Sequence, residues 1–191
     1  MNILVIYAHP SEKSFNAVIK NALETAAINA GHDVHVRDLY QLNFNPVLSL
    51  AELRGAVPDD VVTEQDFIRQ ADMLVFVYPL WWAGMPAIMH GYMDRIFSYG
   101  FAYKANSDGT TLGLFNDKRV VLVNTIGCSA DEYRENGMFK ALETIGNRGI
   151  FNFCGTEVER FFHFAGIPGY TSEEERDIMV TELTNYFTTL N

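Results

Sequence analysis

The residues best suited to chemistry follow the first apolar run of the chain. Residues 3–7 read Ile-Leu-Val-Ile-Tyr, and the polar segment 8–16 that follows contains Ser11, Ser14 and Asn16. This pattern predicts a buried strand that ends in a loop opening a helix. The first turn of such a helix has N–H groups without partners, and together with these side chains they suit an anion such as a phosphate. A second interpretation, that Ser14 or Asn16 only caps the helix, fits the local sequence equally well.

Two other segments have residue types that could hold a ligand. Trp81 and Trp82 are adjacent and follow an apolar run, and Thr125-Ile126-Gly127 follows another. A buried core rarely takes two adjacent indoles, so one interpretation is that their rings contact a ligand. The other is that one tryptophan lies in the core and its neighbour at an interface. The Thr125 segment offers a hydroxyl group and backbone donors on a flexible turn.

These segments must be positioned by the elements around them. Apolar runs predict strands over residues 3–7, 73–77 and 119–125 and within 157–165, and Val34 and Val36 alternate with polar residues as in a strand near a sheet edge. Helical spacing of apolar residues separates the strands, with helix starts expected at Thr63, Pro86 and Ser172. The segments 40–58 and 100–117 are long connections, and 40–58 is expected to cover something or to be mobile. Residues 126–137 are predicted to be a loop, and a helix follows from Met138.

Alternating strands and helices predict the fold class, an α/β protein with a doubly wound parallel sheet of five strands and helices on both faces. The flavodoxin-like strand order 2-1-3-4-5 fits five strands with five helices. In that order the loops after strands 1, 3 and 4 meet above the carboxyl ends of the strands. A flat heteroaromatic ring attached to a phosphate would satisfy all three loops.

Composition limits the classes of function. The chain has 191 residues, 48% of them hydrophobic, and no linker divides it, so a single domain over residues 1–191 is expected. A net charge of −10 argues against nucleic acid and anionic membrane surfaces as partners. Cys128 and Cys154 are too few for a disulfide framework, and no cysteine or histidine cluster has metal-ligand spacing, so no metal site is expected. The absence of a signal-peptide pattern predicts a cytoplasmic location.

The segment 73–93 is long and uncharged enough to be mistaken for a membrane-spanning helix. Pro79, Gly84 and Pro86 interrupt it. It is therefore predicted to form a strand, a loop and a helix that carries His90 and Asp94, with no insertion into a membrane.

Four motifs extend over most of the chain. They are residues 8–16 (AHPSEKSFN), residues 38–40 with 43–46 (DLY and NFNP), residues 78–88 (YPLWWAGMPAI), and residues 94–97 with 100–103 (DRIF and GFAY). Together they resemble the NAD(P)H:quinone oxidoreductases, the DT-diaphorase-like flavoproteins.

The resemblance implies a flavin, FMN or FAD, bound at the interface of a homodimer, with NAD(P)H as co-substrate. It implies that the flavin phosphate lies near His9, Ser14, Phe15 and Asn16. It implies that the isoalloxazine ring lies along Pro79, Leu80, Trp81 and Trp82 and along Asn124, Thr125, Ile126 and Gly127. By the same resemblance, Tyr133 faces the flavin and the substrate.

The chain departs from the family pattern at two places. The usual Thr-Thr-Gly-Gly motif reads Asn124-Thr125-Ile126-Gly127, and about one extra residue precedes Tyr133. The family's mammalian members have a histidine six residues after that tyrosine, in a proposed proton relay, whereas this chain has Phe139. A Tyr/His relay therefore cannot be carried over.

The leading functional hypothesis is an enzyme that passes a hydride from a nicotinamide to the flavin and then to a quinone or similar small molecule, in alternation at one site. The alternative is a flavin-binding, redox-sensing regulatory subunit of a membrane transporter. A one-electron carrier is a third hypothesis, which the two long connections disfavour because they suggest a covered, substrate-sized pocket.

A homodimer is also expected from the helix that starts at Pro86. Its apolar residues exceed what one sheet face needs; they are Ile88, Met89, Tyr92, Met93, Ile96 and Phe97. The surplus is predicted to pair with the same helix of a second chain and to bring aromatic residues over the flavin. The alternative is that these residues only bury the helix against its own sheet.

Overall fold

The computed structural model describes residues 1–190 and contains a five-stranded parallel sheet. Its strands are β1 (Asn2–Tyr7), β2 (Asp33–Asp38), β3 (Met73–Pro79), β6 (Arg119–Ile126) and β7 (Val158–Ala165). Their spatial order is β2-β1-β3-β6-β7, all pairs parallel, which confirms the predicted order 2-1-3-4-5. The central strands are apolar on both faces because helices cover both sides, and β2, at the edge, is only partly buried.

Helices lie on both faces of the sheet. They are α1 (Phe15–Asn29), α2 (Leu50–Leu53), α3 (Asp59–Gln70), α4 (Ala87–Ile96), α5 (Ala130–Glu135), α6 (Met138–Thr144), a π-helix (Ile145–Phe151) and α7 (Glu173–Thr188). α1 and α7 pack on one face through residues such as Ile19, Leu23 and Phe187. α3, α4 and the π-helix pack on the other through Ile68, Tyr92 and Phe151. Residues 1–190 contain no helix that is both long and apolar enough to cross a membrane.

The segment 40–58, called the strap below, covers α4. Gly91 allows the close approach, because a Cβ there would lie 2.1 Å from the Pro46 carbonyl oxygen. Arg95 of α4, whose side chain is 4% exposed, donates to Glu52 (2.6 Å) and to Asp60 (2.7 Å). The expectation that the strap covers something is therefore confirmed.

This packing corrects the prediction that α4 carries surplus apolar surface for a second chain. Of the six residues on which the prediction rested, five are buried within their own chain, and Ile88 is half-buried against the same core. Tyr92 is fully buried and donates to Glu64 (3.2 Å). A Tyr92→Glu change would thus place a second carboxylate beside Glu64 in the core and would test folding instead of association.

Several element boundaries differ from the predicted ones. α3 begins at Asp59, four residues before the expected Thr63, because Pro58 and two aspartates favour a helix start there. The predicted loop 126–137 contains α5, capped by Ser129, and the connection 100–117 contains a hairpin of β4 (Tyr103–Ala105) and β5 (Thr111–Gly113). The segment 73–93 forms β3, a turn and α4, as predicted, and the capping box at Ser172 opens α7.

Candidate active site

The loops after β1, β3 and β6 meet at the carboxyl edge of the sheet. The His9 and Trp81 rings lie 6.1 Å apart between centroids. The Leu80 amide donates to the Thr125 carbonyl oxygen (2.8 Å), and Asn16 Nδ2 donates to Thr125 Oγ1 (2.7 Å). The structure therefore brings together the three segments that the sequence singled out.

Ser14 is the N-cap of α1. Its Oγ accepts from the Ala17 amide (3.1 Å), so the capping interpretation is correct for Ser14, whereas Asn16 lies inside the helix. An accepting hydroxyl still has its own proton to donate, so capping does not prevent Ser14 from binding an anion. The first turn of α1 has no acidic residue, and its N–H groups and positive dipole end remain suited to a negative charge.

Two side chains near this turn have unmet hydrogen-bonding capacity. His9 Nδ1 lies 3.0 Å from the Ser11 amide nitrogen and 3.1 Å from the Ser11 carbonyl oxygen, so contacts within its own turn hold this nitrogen and Nε2 is the ring atom available to a ligand. Asn16 is 2% exposed, and its Oδ1 has no hydrogen-bond partner within the part of the chain that the structure describes. A buried acceptor without a partner is costly, so a donor from a bound molecule would stabilise this site.

Trp81 to Gly84 form a tight two-residue turn. The Trp81 amide donates to the Gly84 carbonyl oxygen and the Gly84 amide donates to the Trp81 carbonyl oxygen, both at 3.0 Å. The central residues, Trp82 and Ala83, have φ of +51° and +57°. Each left-handed residue other than glycine costs about 1–2 kcal/mol, and such strain concentrates at functional loops. Trp81 is 42% exposed and Trp82 is fully exposed. The interpretation that placed one of the two tryptophans in the core is therefore wrong.

The loop after β6 offers mainly backbone groups to this edge. The Asn124 side chain turns inward, where its Oδ1 contacts His163 Nδ1 at 3.0 Å. Thr125 and Ile126 are buried, and the Thr125 hydroxyl accepts from Asn16. Gly127 is exposed at the end of the strand. Ligand contacts from this segment would therefore come mainly from Gly127, because residues 124–126 belong to β6, which pairs with β3 and β7.

Tyr133 lies on α5 and is half-buried. Burial raises the pKa of its hydroxyl, and the nearby Cys128 and Glu132 raise it further, so it is a neutral hydrogen-bond donor at pH 7. Its ring contacts Phe139, with centroids 5.6 Å apart, and Phe139 stacks on His163 at 5.2 Å. These contacts connect Tyr133 to α6 and β7.

Two residues at this edge did not stand out in the sequence. The Arg176 guanidinium lies 5.9 Å from the centre of the Phe15 ring, which adds a cation beside the first turn of α1. His163 lies near the end of β7, and its side chain contacts that of Asn124 on the neighbouring strand β6. The predicted strand within residues 157–165 was the only available signal for His163, since nothing local showed that its side chain meets β6.

Comparison with known proteins agrees with this architecture. The family model described as having a flavodoxin-like fold matches residues 1–187. A Haemophilus influenzae protein named as an uncharacterized NAD(P)H oxidoreductase is 46% identical over 172 residues, covering 87% of this chain and 85% of that one. The ribosyldihydronicotinamide dehydrogenase [quinone] of Pongo abelii is 32% identical, covering 93% of this chain and 87% of that one.

A solved structure agrees as well. The NAD(P)H:quinone oxidoreductase from Methanothermobacter marburgensis has a TM-score of 0.85 and 29% identity, covering 100% of this chain and 99% of that one. The chain therefore belongs to the NAD(P)H:quinone oxidoreductase family of flavodoxin-like proteins and is an oxidoreductase of the NAD(P)H dehydrogenase (quinone) type.

Proposed function

We propose that this protein binds a flavin, FMN or FAD, and uses NAD(P)H to reduce quinones or similar small acceptors by two-electron transfer. Nicotinamide and acceptor occupy one site in turn, which gives ping-pong kinetics. The observation that carries the proposal is the junction of the three loops, measured by the contacts His9–Trp81, Leu80–Thr125 and Asn16–Thr125.

The residues at this junction fit a flavin. The N-terminus of α1, Ser14 and His9 Nε2 provide donors for its phosphate, and Phe15 and Asn16 complete the same turn. The buried Asn16 Oδ1 without a partner supports a bound molecule with a nearby donor. The ring would lie along residues 79–82 and 124–127, where Trp81 and Trp82 are exposed at a strained turn.

A bound flavin would accept a hydride at its N5 atom and return two electrons to the acceptor. The chain's own residues orient it and exclude water. In this proposal the main-chain N–H of Gly127, just past the end of β6, would hold the polar edge of the ring, and the tryptophans offer apolar area for stacking. Tyr133 acts as a neutral donor toward the ring or the acceptor, without a histidine partner at position 139.

The functional unit in this proposal is a homodimer that associates through the strap. Exposed apolar residues of the strap lie beside Tyr99, which is 65% exposed, and Leu48, Leu53, Val57 and Tyr99 line one surface groove. Leu53 is 71% exposed and Val57 is 50% exposed. Exposed apolar side chains grouped around one groove favour an interface. In this proposal the second chain also supplies aromatic residues that close the site against water.

The first test is whether the purified protein is yellow. Flavin released by heat and separated by chromatography identifies FMN or FAD. Steady-state oxidation of NADH and NADPH with a benzoquinone acceptor should give parallel double-reciprocal lines. A colourless protein that cannot be reconstituted with either flavin would refute the proposal, and a flavin-loaded protein with negligible turnover would favour a regulatory role.

Sedimentation at micromolar concentration tests the dimer. Leu53→Glu with Val57→Glu should yield a folded monomer with little activity, whereas Ile178→Glu, at a site 62% exposed on α7, should remain dimeric. A monomer that retains flavin and full turnover would contradict the shared site.

A further inference from the structure

A cavity of about 250 Å³ lies between the sheet and the segment formed by α6 and the π-helix. Neither α5 nor α6 has a fully buried residue, so this segment packs loosely over the sheet. The walls are mostly apolar; they include Tyr78, Leu80, Leu142, Ile150, Phe161 and His163. An engineered apolar cavity of about 150 Å³ is large enough to hold benzene, so this volume suits a substituted single ring.

Four residues with polar side chains line the cavity, Tyr78, His90, Asn124 and His163, and of these His163 offers it a buried acceptor atom. Its side chain is nine-tenths buried, and its Nε2 has no hydrogen-bond partner among residues 1–190. Nδ1 lies 3.0 Å from Asn124 Oδ1, which only accepts, so Nδ1 carries the proton and Nε2 presents a lone pair. Glu143 Oε1 is 4.0 Å from Nε2, which is too long for a hydrogen bond, and a carboxylate could not donate to it.

His163 and Tyr78 are both neutral at pH 7. Burial lowers the pKa of His163 to about 4. Burial raises the pKa of Tyr78 to about 12, against a smaller opposing effect of its hydrogen bond with Asn124. A neutral imidazole and a neutral phenol would bind a neutral ligand better than an ion, because nothing in the pair offsets the cost of burying a charge.

We propose that this cavity is a binding site for a small neutral phenol, whose ring fills the apolar space and whose O–H donates to His163 Nε2. The cavity wall includes Ala83 and Gly84, so the site lies behind the strained turn at Trp82. Quinols, the expected products of the proposed reaction, belong to this ligand class. The binding itself does not depend on that reaction.

Fluorine NMR of the purified, flavin-loaded protein with 4-fluorophenol and 4-fluorotoluene tests the proposal. The two probes have nearly the same shape, but only the phenol can donate a hydrogen bond. In His163→Phe, the preference for 4-fluorophenol over 4-fluorotoluene should fall by about 2- to 10-fold, as expected for one lost hydrogen bond. In Leu142→Trp, which fills the cavity, binding of both probes should be lost.

Matched controls carry the same substitutions elsewhere. His35→Phe lies on the edge strand β2, and Leu112→Trp on the β4–β5 hairpin, and both should leave binding unchanged. If His163→Phe does not fold, the ¹⁵N NMR chemical shift of His163 Nε2 in the unsubstituted protein tests the same hydrogen bond. 4-Fluorophenol should change this chemical shift, and 4-fluorotoluene should not. Absence of 4-fluorophenol binding, or binding that Leu142→Trp leaves intact, would overturn the proposal, whether or not the protein turns over quinones.

Discussion

The Ser14→Ala variant tests two roles of the Ser14 hydroxyl, as the cap of α1 and as a donor to a flavin phosphate. The Oγ atom accepts from the Ala17 amide, so its loss removes a helix cap and should cost about 1 kcal/mol of unfolding free energy. If the same hydroxyl also donates to a flavin phosphate, the lost bond to a charged group is worth about 1.5–3 kcal/mol. Flavin binding should then weaken by roughly 10- to 150-fold, at tenfold for every 1.4 kcal/mol.

Fluorescence titration of the apoprotein with flavin measures the second effect, and urea unfolding of the apoprotein measures the first. Ser172→Ala is the matched control, because Ser172 caps a helix of similar length and its hydroxyl bonds Glu175. It should lose comparable stability and keep its flavin affinity. Ser14→Asp restores the cap acceptor but places a negative charge at the phosphate position, so it should fold well and bind flavin least of all. Flavin affinity in Ser14→Ala equal to that in Ser172→Ala would refute the reasoning.

Three further predictions concern the turn at Ala83, the ion pair of Arg95 and the buried His163. Ala83→Gly should raise the unfolding free energy of the apoprotein by up to about 1 kcal/mol, because Ala83 has φ of +57°; a loss of stability in urea unfolding would contradict strain at the turn. Arg95→Met should lower that free energy by about 3–5 kcal/mol by leaving Glu52 buried without its partner, whereas Arg69→Met, in an exposed pair, should cost under about 1 kcal/mol; equal losses would contradict the role of burial. The folded-state pKa of His163 is depressed to about 4, so its contribution to the unfolding free energy is fully present above pH 6.5 and is lost as the pH falls, by about 2 kcal/mol at pH 5. If the unfolding free energy of a His163→Phe variant falls equally between pH 7.5 and pH 5, protonation of His163 is not the cause of the loss.

The five strands were predicted correctly because the signal for a strand is local, and their order was confirmed because alternating strands and helices fit the flavodoxin-like order. Short runs without charge that end at a proline, such as residues 73–77, indicate strands covered on both faces, and the polar alternation around Val34 marks an edge. The same reasoning put the loops after β1, β3 and β6 at one edge of the sheet. Capping residues gave the start of α7 correctly but missed that of α3, where the Pro58-Asp59-Asp60 signal precedes the expected Thr63.

Apolar periodicity shows which face of a helix is buried but not what buries it. The pattern on α4 was correctly identified as apolar on several sides, yet its cover is the strap of the same chain, held by Arg95 and Glu52 across 43 positions. The prediction of a second chain against α4 failed for that reason. Exposed apolar side chains remain on the strap itself, Leu53 and Val57 among them.

The sequence by itself determined the strands and the segments at their carboxyl ends, because each depends on residues that are neighbours along the chain, and the alternation of strands with helices then indicated the strand order. Only the tertiary structure decided which remote side chains contact each other. It turned Asn124 inward toward His163, joined Asn16 to Thr125 across 109 positions, and left a cavity beneath α6. Hydrogen bonds and cavities depend on distances of a few ångströms between remote residues, and no local pattern of hydrophobicity encodes such distances.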